Sequence, residues 1–97
     1  MSTIKINPKK LNDLIENLRS YTKDLIKKND DLSDIKRGMD RAWEDDSQYM
    51  DVGGPALTRM IENNEDVIKL LNDTLDDLEI WRDAVAEYEK QRGNGMI

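Results

Sequence analysis

The chain has no cysteine, no histidine and no phenylalanine, and its only aromatic residues are two Trp and three Tyr among 97 residues. Without Cys there is no disulfide framework. Without Cys or His, the common zinc, haem and iron–sulfur sites and the Ser/His/Asp and Cys/His catalytic arrangements are excluded. We therefore expect no catalytic residue, no metal site and no cofactor. The most common enzyme classes are excluded.

Long apolar runs and excess positive charge are also lacking. No stretch approaches the roughly 18 apolar residues of a membrane span, and residues 1–5 lack the apolar stretch of a signal peptide. The net charge of −6 disfavours binding to nucleic acid or to an anionic membrane. Charged and apolar residues each make up 37% of this short chain, so it cannot bury a large core alone. The expected class is a protein that interacts with another protein.

A helix-start signal stands near the beginning of the chain. Asn7 is a favoured N-cap residue, Pro8 suits the first helical position, and Ile6 can pack on Leu11 as a hydrophobic staple. Apolar residues then recur at alternating spacings of three and four, which is typical of an amphipathic helix. These signals predict a first helix over about 8–43.

The second half of the chain repeats this periodicity. The segment 44–54 is acidic and Gly-containing, which predicts a turn, and Gly54-Pro55 predicts a helix start. Gly93 follows basic residues and predicts a helix stop, so helix two should cover about 55–92 before a flexible tail, 93–97. The residues predicted to line the seam of the hairpin or of a dimer are Leu11, Leu14, Leu18, Leu25, Leu32, Ile35, Met39, Leu57, Val67, Leu71, Leu78, Trp81 and Val85.

Two long helices with a short connection predict an all-α antiparallel hairpin. Residues 1–43 hold ten basic and seven acidic side chains, and residues 44–97 hold five and fourteen, so charge favours pairing of the two arms. Each apolar stripe is wider than one seam, which predicts that two hairpins form a four-helix bundle as a homodimer or heterodimer. Lys28, Asn64 and Thr74 interrupt the seams and are expected to set register or partner choice.

Two features have a functional and a structural interpretation. Glu44, Asp45 and Asp46 with Asp51 suggest a cation site, but their spacing does not fit a calcium loop, so a solvated acidic turn is expected. Trp43 ends the first amphipathic run at the turn. It is either a packed core residue or a core residue that also anchors a partner, and Tyr88 carries the same two interpretations.

Several short motifs together resemble the WXG-type, or ESAT-like, family of proteins of about a hundred residues. The residues that carry the resemblance are Ile4, Ile6, Pro8, Lys10 and Leu11 in the opening, Trp43 at the turn and Tyr88 near the end of the second helix. Asp45 stands where the family has the Gly of Trp-x-Gly. Arg92 stands where the family's terminal Tyr motif has an acidic residue.

The resemblance implies a dimeric helical hairpin that the type VII (ESX-like) secretion system of Gram-positive bacteria exports without a cleaved signal peptide. The chain would be cytoplasmic before export and then secreted or at the cell surface, as a substrate or as the partner of a larger toxin. Trp43, Tyr88 and Arg92 are the candidate docking residues, and Arg92 puts the completeness of the signal in question. The alternative is a structural or regulatory helical hairpin that is not secreted.

Overall fold

The computed structural model describes residues 7–95, with side chains described up to residue 91. It contains two long helices, α1 (Pro8–Ala42) and α2 (Gly54–Gly95), in a rod of 77 × 24 × 15 Å. Asn64 on α2 contacts Asn29 on α1, whereas the later Arg82 contacts the earlier Asn12, so the helices are antiparallel. The predicted all-α hairpin is confirmed, and no strand occurs between residues 7 and 95.

The first helix begins where the local signals place it. The Asn7 side-chain oxygen accepts hydrogen bonds from the backbone N–H groups of Lys9 at 3.0 Å and Lys10 at 3.4 Å, two donors that have no partner inside the helix. At the other end, the Trp43 N–H donates to the Met39 carbonyl at 2.9 Å. Ile6, the other half of the predicted staple, lies outside the described residues.

The turn is much shorter than the predicted range 44–54, and this prediction is wrong in its second part. Helical backbone resumes at residue 47, directly after Asp46. The Asp46 carboxylate accepts from the Tyr49 N–H at 2.9 Å, and its carbonyl accepts from the Met50 N–H at 2.9 Å. Asp46 therefore caps the returning helix, and the chain reverses direction within residues 43–46.

A π-helical turn carries the chain across the Gly and Pro residues that the sequence suggests would break a helix. This turn spans Tyr49–Gly53, and the Gly54 N–H donates to the Tyr49 carbonyl five residues earlier. In a regular α-helix, Pro55 would collide with the carbonyl of Asp51 and leave it without a donor. The wider π turn just before Pro55 lets the helix pass the proline without this clash. Helix two is therefore continuous with helical backbone that starts before residue 55.

The end of α2 also differs from the prediction. The helix continues to Gly95, three residues beyond the predicted stop at 92 and into the segment 93–97 that is predicted to be a tail. A Gly inside a helix costs only about 1 kcal/mol relative to Ala, and no Gly in the described range has a positive φ. Residues 96 and 97 lie outside the described part.

The apolar contact between the arms is small and lies toward the open end of the hairpin. Leu11, Ile15 and Leu75 are buried, and Leu18 and Leu78 pack against them while partly exposed. We call these five residues the hairpin core. Ile15 has no exposed surface at all.

Polar residues continue the contact line at seven-residue intervals after Ile15. Thr22 is 2% exposed and donates to the Leu18 carbonyl of its own helix at 2.7 Å. Asn29 is 6% exposed, donates to the Ile61 carbonyl at 3.3 Å and accepts from the Asn64 side chain at 3.0 Å. Every buried polar side-chain atom in the described part of the chain has a partner.

Replacing Asn64 with Leu is expected to lower the free energy of unfolding by about 1–3 kcal/mol, because the buried Asn29 oxygen loses its donor. The double change Asn29→Leu with Asn64→Leu removes both polar groups and should recover most of this loss. Asn63→Leu, the same change on the exposed side of the helix, serves as the control. Urea unfolding measures all three. If the Asn63 variant loses as much stability as the Asn64 variant, the buried pair has no special role.

Candidate protein-interaction surfaces

The thirteen seam residues fall into three groups by exposure. Leu11 alone is buried. The half-buried members are Leu18, Leu25, Leu32, Met39, Leu57, Leu71, Leu78 and Val85. The exposed members are Leu14, Ile35, Val67 and Trp81. One hairpin thus covers only part of the apolar surface that the periodicity marks, and the exposed members keep 45–63% of their surface in solvent.

Seven of the ten large apolar side chains that are exposed on the two helices lie on the same side of the hairpin. Arg19 and Glu79, each four residues after a core residue, form an ion pair between the arms and so mark one side. On α1, Leu14 comes one residue before the core residue Ile15. Because successive helical residues are about 100° apart around the axis, the Leu14 side chain points to the side of Ile15 that is opposite to Arg19. On α2, position 74 has the same relation to Leu75. Positions 14 and 74 and their seven-residue repeats therefore share the opposite side.

We call this side the apolar face and define it by seven exposed side chains: Leu14, Tyr21 and Ile35 on α1, and Met60, Val67, Trp81 and Tyr88 on α2. They are 45–63% exposed. With roughly 100 Å² of each in solvent, the face offers on the order of 700 Å², close to the about 800 Å² that each partner buries in a standard interface. Exposed apolar side chains aligned along one side of a helix pair are typical of a surface that packs against another element.

The predicted polar interruptions of the seams occupy two different environments. Lys28 and Thr74 are exposed and lie within the stripes of the apolar face, whereas Asn64 lies between the arms. Lys28 and Thr74 are therefore placed to affect which partner packs against the apolar face, whereas Asn64 is placed to affect how the two arms pair. Neither described helix has a segment apolar enough and long enough to cross a bilayer.

The tip of the hairpin forms a second surface. Trp43 is 48% exposed, and its ring lies 5.9 Å from the ring of Tyr49, centroid to centroid, at an angle of 44°. A shallow cavity of about 360 Å³ opens beside these rings. It is lined by Met39, Trp43, Asp46, Gln48, Tyr49, Val52 and Gly53. No three of the acidic side chains in the described region gather closely enough to hold a metal ion.

Tyr49 is buried and fixes the tip against α1. Its hydroxyl donates to Asp40 at 2.5 Å, and the Lys36 ammonium donates to the other oxygen of the same carboxylate at 2.8 Å. The Tyr49 ring packs closely against the glycines that follow it. A Cβ atom at Gly53 would lie only 3.0 Å from the ring. The ring therefore needs the small residue there. Sequence reasoning missed this contact, for which the only signal is an aromatic residue four positions before a Gly pair.

These hydrogen bonds shift the acidity of both partners. The bonds from Lys36 and Tyr49 lower the pKa of Asp40 because they stabilise the carboxylate, although burial opposes this. The bond to Asp40 and then burial raise the pKa of Tyr49 from 10.0 to about 12. Because the pKa of Asp40 is lower in the folded than in the unfolded chain, its ionisation stabilises the fold above pH 3.8. This contribution is lost as the pH falls through the pKa that Asp40 has in the folded chain. The Tyr49 contribution is complete below pH 10 and is lost between pH 10 and 12.

One tyrosine should therefore ionise late in an ultraviolet absorbance titration, near pH 12, while circular dichroism shows the helices intact. Tyr49→Phe is expected to remove this late step. Tyr21→Phe, which removes an exposed phenol, is the control and should leave it in place. A late step that persists in the Tyr49 variant would mean that the Tyr49–Asp40 contact does not form in solution.

The three predicted docking residues do not come together within one chain. Trp43 lies at the tip, and Tyr88, 63% exposed, lies near the open end. From residue 49 to residue 88, helical backbone rises by about 58 Å at 1.5 Å per residue, so the two aromatic rings lie at opposite ends of the hairpin. The backbone of Arg92 lies in α2, and its side chain is outside the described part.

Compared with known proteins, the chain matches no family model, no curated protein and no solved structure.

Proposed function

We propose that this chain is a small interaction protein without catalytic activity, which pairs with a second helical hairpin and displays a docking surface at the ends of the resulting four-helix bundle. The observation that carries the proposal is the apolar face. Seven large side chains stand half exposed along one side of the rod, while the opposite side carries the Arg19–Glu79 ion pair. An amphipathic rod of this kind gains most when a second rod covers its apolar side.

The hairpin core supports the same proposal through its small size. Within the described part of the chain, only three large apolar side chains, those of Leu11, Ile15 and Leu75, are buried between the arms. Folding requires the ordering of nearly a hundred residues, at an entropic cost of about 1–2 kcal/mol for each residue's backbone. Burial of a second apolar surface against a partner would therefore add to the stability that the hairpin core supplies.

The setting we propose is the type VII secretion system, in which the chain is a substrate or adaptor that is cytoplasmic before export. The hairpin shape and the resemblance of its short motifs to the WXG-type family support this setting. In an antiparallel pair of hairpins, the tip of one chain lies beside the open end of its partner. Trp43 of one chain and Tyr88 of the other would then form one composite surface.

The experiment is export from a Gram-positive host, measured as the fraction of the chain in the culture supernatant. Trp43→Ala and Tyr88→Ala are each expected to reduce that fraction at least about tenfold. Leu70→Ala, which removes an apolar side chain that is 65% exposed far from both ends, is the control. Normal export of both variants, with helix content and mass of the assembly unchanged, would remove both residues from the recognition role.

A second candidate is a structural or regulatory hairpin that stays inside the cell. Two departures from the family's motifs favour it: Asp45 stands in place of Gly, and Arg92 stands in place of the acidic residue. The two candidates share the apolar face and its partner but differ in destination. Absence of the unaltered chain from the supernatant of a host with an active type VII system would favour this second candidate.

A further inference from the structure

The cavity at the hairpin tip combines an apolar lining with free surface. Its walls come from both sides of the turn, with Met39 and Trp43 on one side and Val52 on the other. Trp43 is 48% and Val52 62% exposed, so both side chains still have apolar surface to bury. The volume of about 360 Å³ is at the lower end of ordinary ligand pockets and suits a single large side chain better than an extended ligand.

The walls of the cavity are held in place before any partner arrives. Tyr49, which lines the cavity, is fixed by the hydrogen bond to Asp40 and by close packing on Gly53. Asp46, which also lines it, is fixed by its bond to the Tyr49 N–H. Binding at a rigid site loses little conformational freedom, so a small contact area gives more affinity there than on a mobile loop.

The turn that carries the cavity is strongly acidic. Glu44, Asp45, Asp46 and Asp51 lie within eight positions, Asp46 lines the cavity itself, and no basic residue occurs between Arg41 and Arg59. None of these four carboxylates takes part in an ion pair in the part of the chain that the structure describes. Their field repels phosphate groups and attracts cations, which disfavours nucleic acid and anionic lipid as ligands and favours a basic one.

We propose that the tip cavity is the docking site for a protein segment that inserts one large apolar side chain and places Lys or Arg on both sides of it. The apolar side chain would lie between Trp43 and Val52, and the cations would face the four carboxylates. A central aromatic contact surrounded by charge is the usual arrangement of an interaction hot spot. This inference rests on the proposed role in docking and adds the chemistry of the partner.

The probe is the peptide Gly-Lys-Arg-Phe-Arg-Lys-Gly, blocked at both ends, added to the isotope-labelled full chain and followed by NMR. Two matched peptides replace Phe with Ala, or all four basic residues with Glu. We expect the Phe peptide to shift the Trp43 indole N–H and the Val52 methyl signals, and its binding to weaken as salt rises. The Ala and Glu peptides are each expected to bind at least about tenfold more weakly.

The protein variants locate the site. Trp43→Ala should abolish binding of the Phe peptide, and Asp45→Asn and Asp51→Asn should each weaken it about two- to fivefold. Met50→Ala is the control, since Met50 is 52% exposed at the tip but does not line this cavity. Because Trp43→Ala also removes contact with Tyr49, Val52→Ser is a second test and should weaken binding with the helices intact.

Four results would overturn the inference: no shift at the tip, equal binding of the Ala peptide, equal binding of the Glu peptide, or shifts confined to the apolar face. A change of assembly mass in the Trp43→Ala variant would also overturn it, because the tip would then be part of a contact between copies. The mass of the unaltered chain is measured in parallel. If the peptide fails to bind and the dimer is intact, only the tip inference fails, whereas a monomer contradicts the homodimeric form of the proposed function.

Discussion

A chain that carries Val67→Asp is expected to sediment as a monomer of 11.3 kDa at concentrations where the unaltered chain is expected to form the proposed dimer. Val67 lies in the α2 stripe of the apolar face, between Met60 and Trp81, and is 45% exposed. In a four-helix bundle, the new carboxylate would lose its water without gaining a partner, at a cost of several kcal/mol per ion. We expect the dissociation constant to rise at least about 100-fold.

The matched control is Ile80→Asp. Ile80 is 68% exposed and lies five residues after Leu75, which places it on the outer side of α2 rather than on the apolar face. Its replacement should leave the mass unchanged. Circular dichroism should show the same helix content for both variants, since neither position belongs to the hairpin core. A dimer of unchanged affinity in the Val67 variant would show that the apolar face is not the contact.

The helices were predictable from the sequence where the determining signals are local. The cap at Asn7 and the Pro after it lie within two residues of each other, and they place the start of α1 correctly. The turn was mispredicted because Gly53-Gly54-Pro55 suggests a break, whereas the outcome depends on a π turn that lets the helix pass. The Asp46 cap is the signal that the sequence does contain, since Asp followed by Ser and Gln is a plausible helix start.

The division between hairpin core and apolar face was not predictable in the same way. Leu11, Leu14 and Ile15 all belong to one wide apolar stripe, and a seven-residue repeat does not tell which edge of the stripe meets the second arm. That depends on the register of the two helices, which the Asn29–Asn64 contact and the path of the turn both constrain. The partners Asp40 and Tyr49 likewise come together only because the chain reverses at the tip.

The same division predicts opposite effects for two neighbouring residues. Ile15 has no exposed surface and lies in the middle of the hairpin core, so Ile15→Ala should cost about 2–5 kcal/mol of unfolding free energy. Domains of this size have a total stability of about 5–15 kcal/mol, so we expect a variant that is partly unfolded at 37 °C. Urea unfolding followed by circular dichroism measures the loss.

Leu14→Ala is the matched control because it removes a similar side chain one position earlier, where Leu14 is 63% exposed. At concentrations low enough for the chain to be monomeric, we expect this change to cost less than about 1 kcal/mol, since little buried surface is lost. At higher concentrations it should weaken dimerisation, whereas the effect of Ile15→Ala is already present in the monomer. If Leu14→Ala destabilises the monomer more than Ile15→Ala does, the two arms pair in a different register in solution.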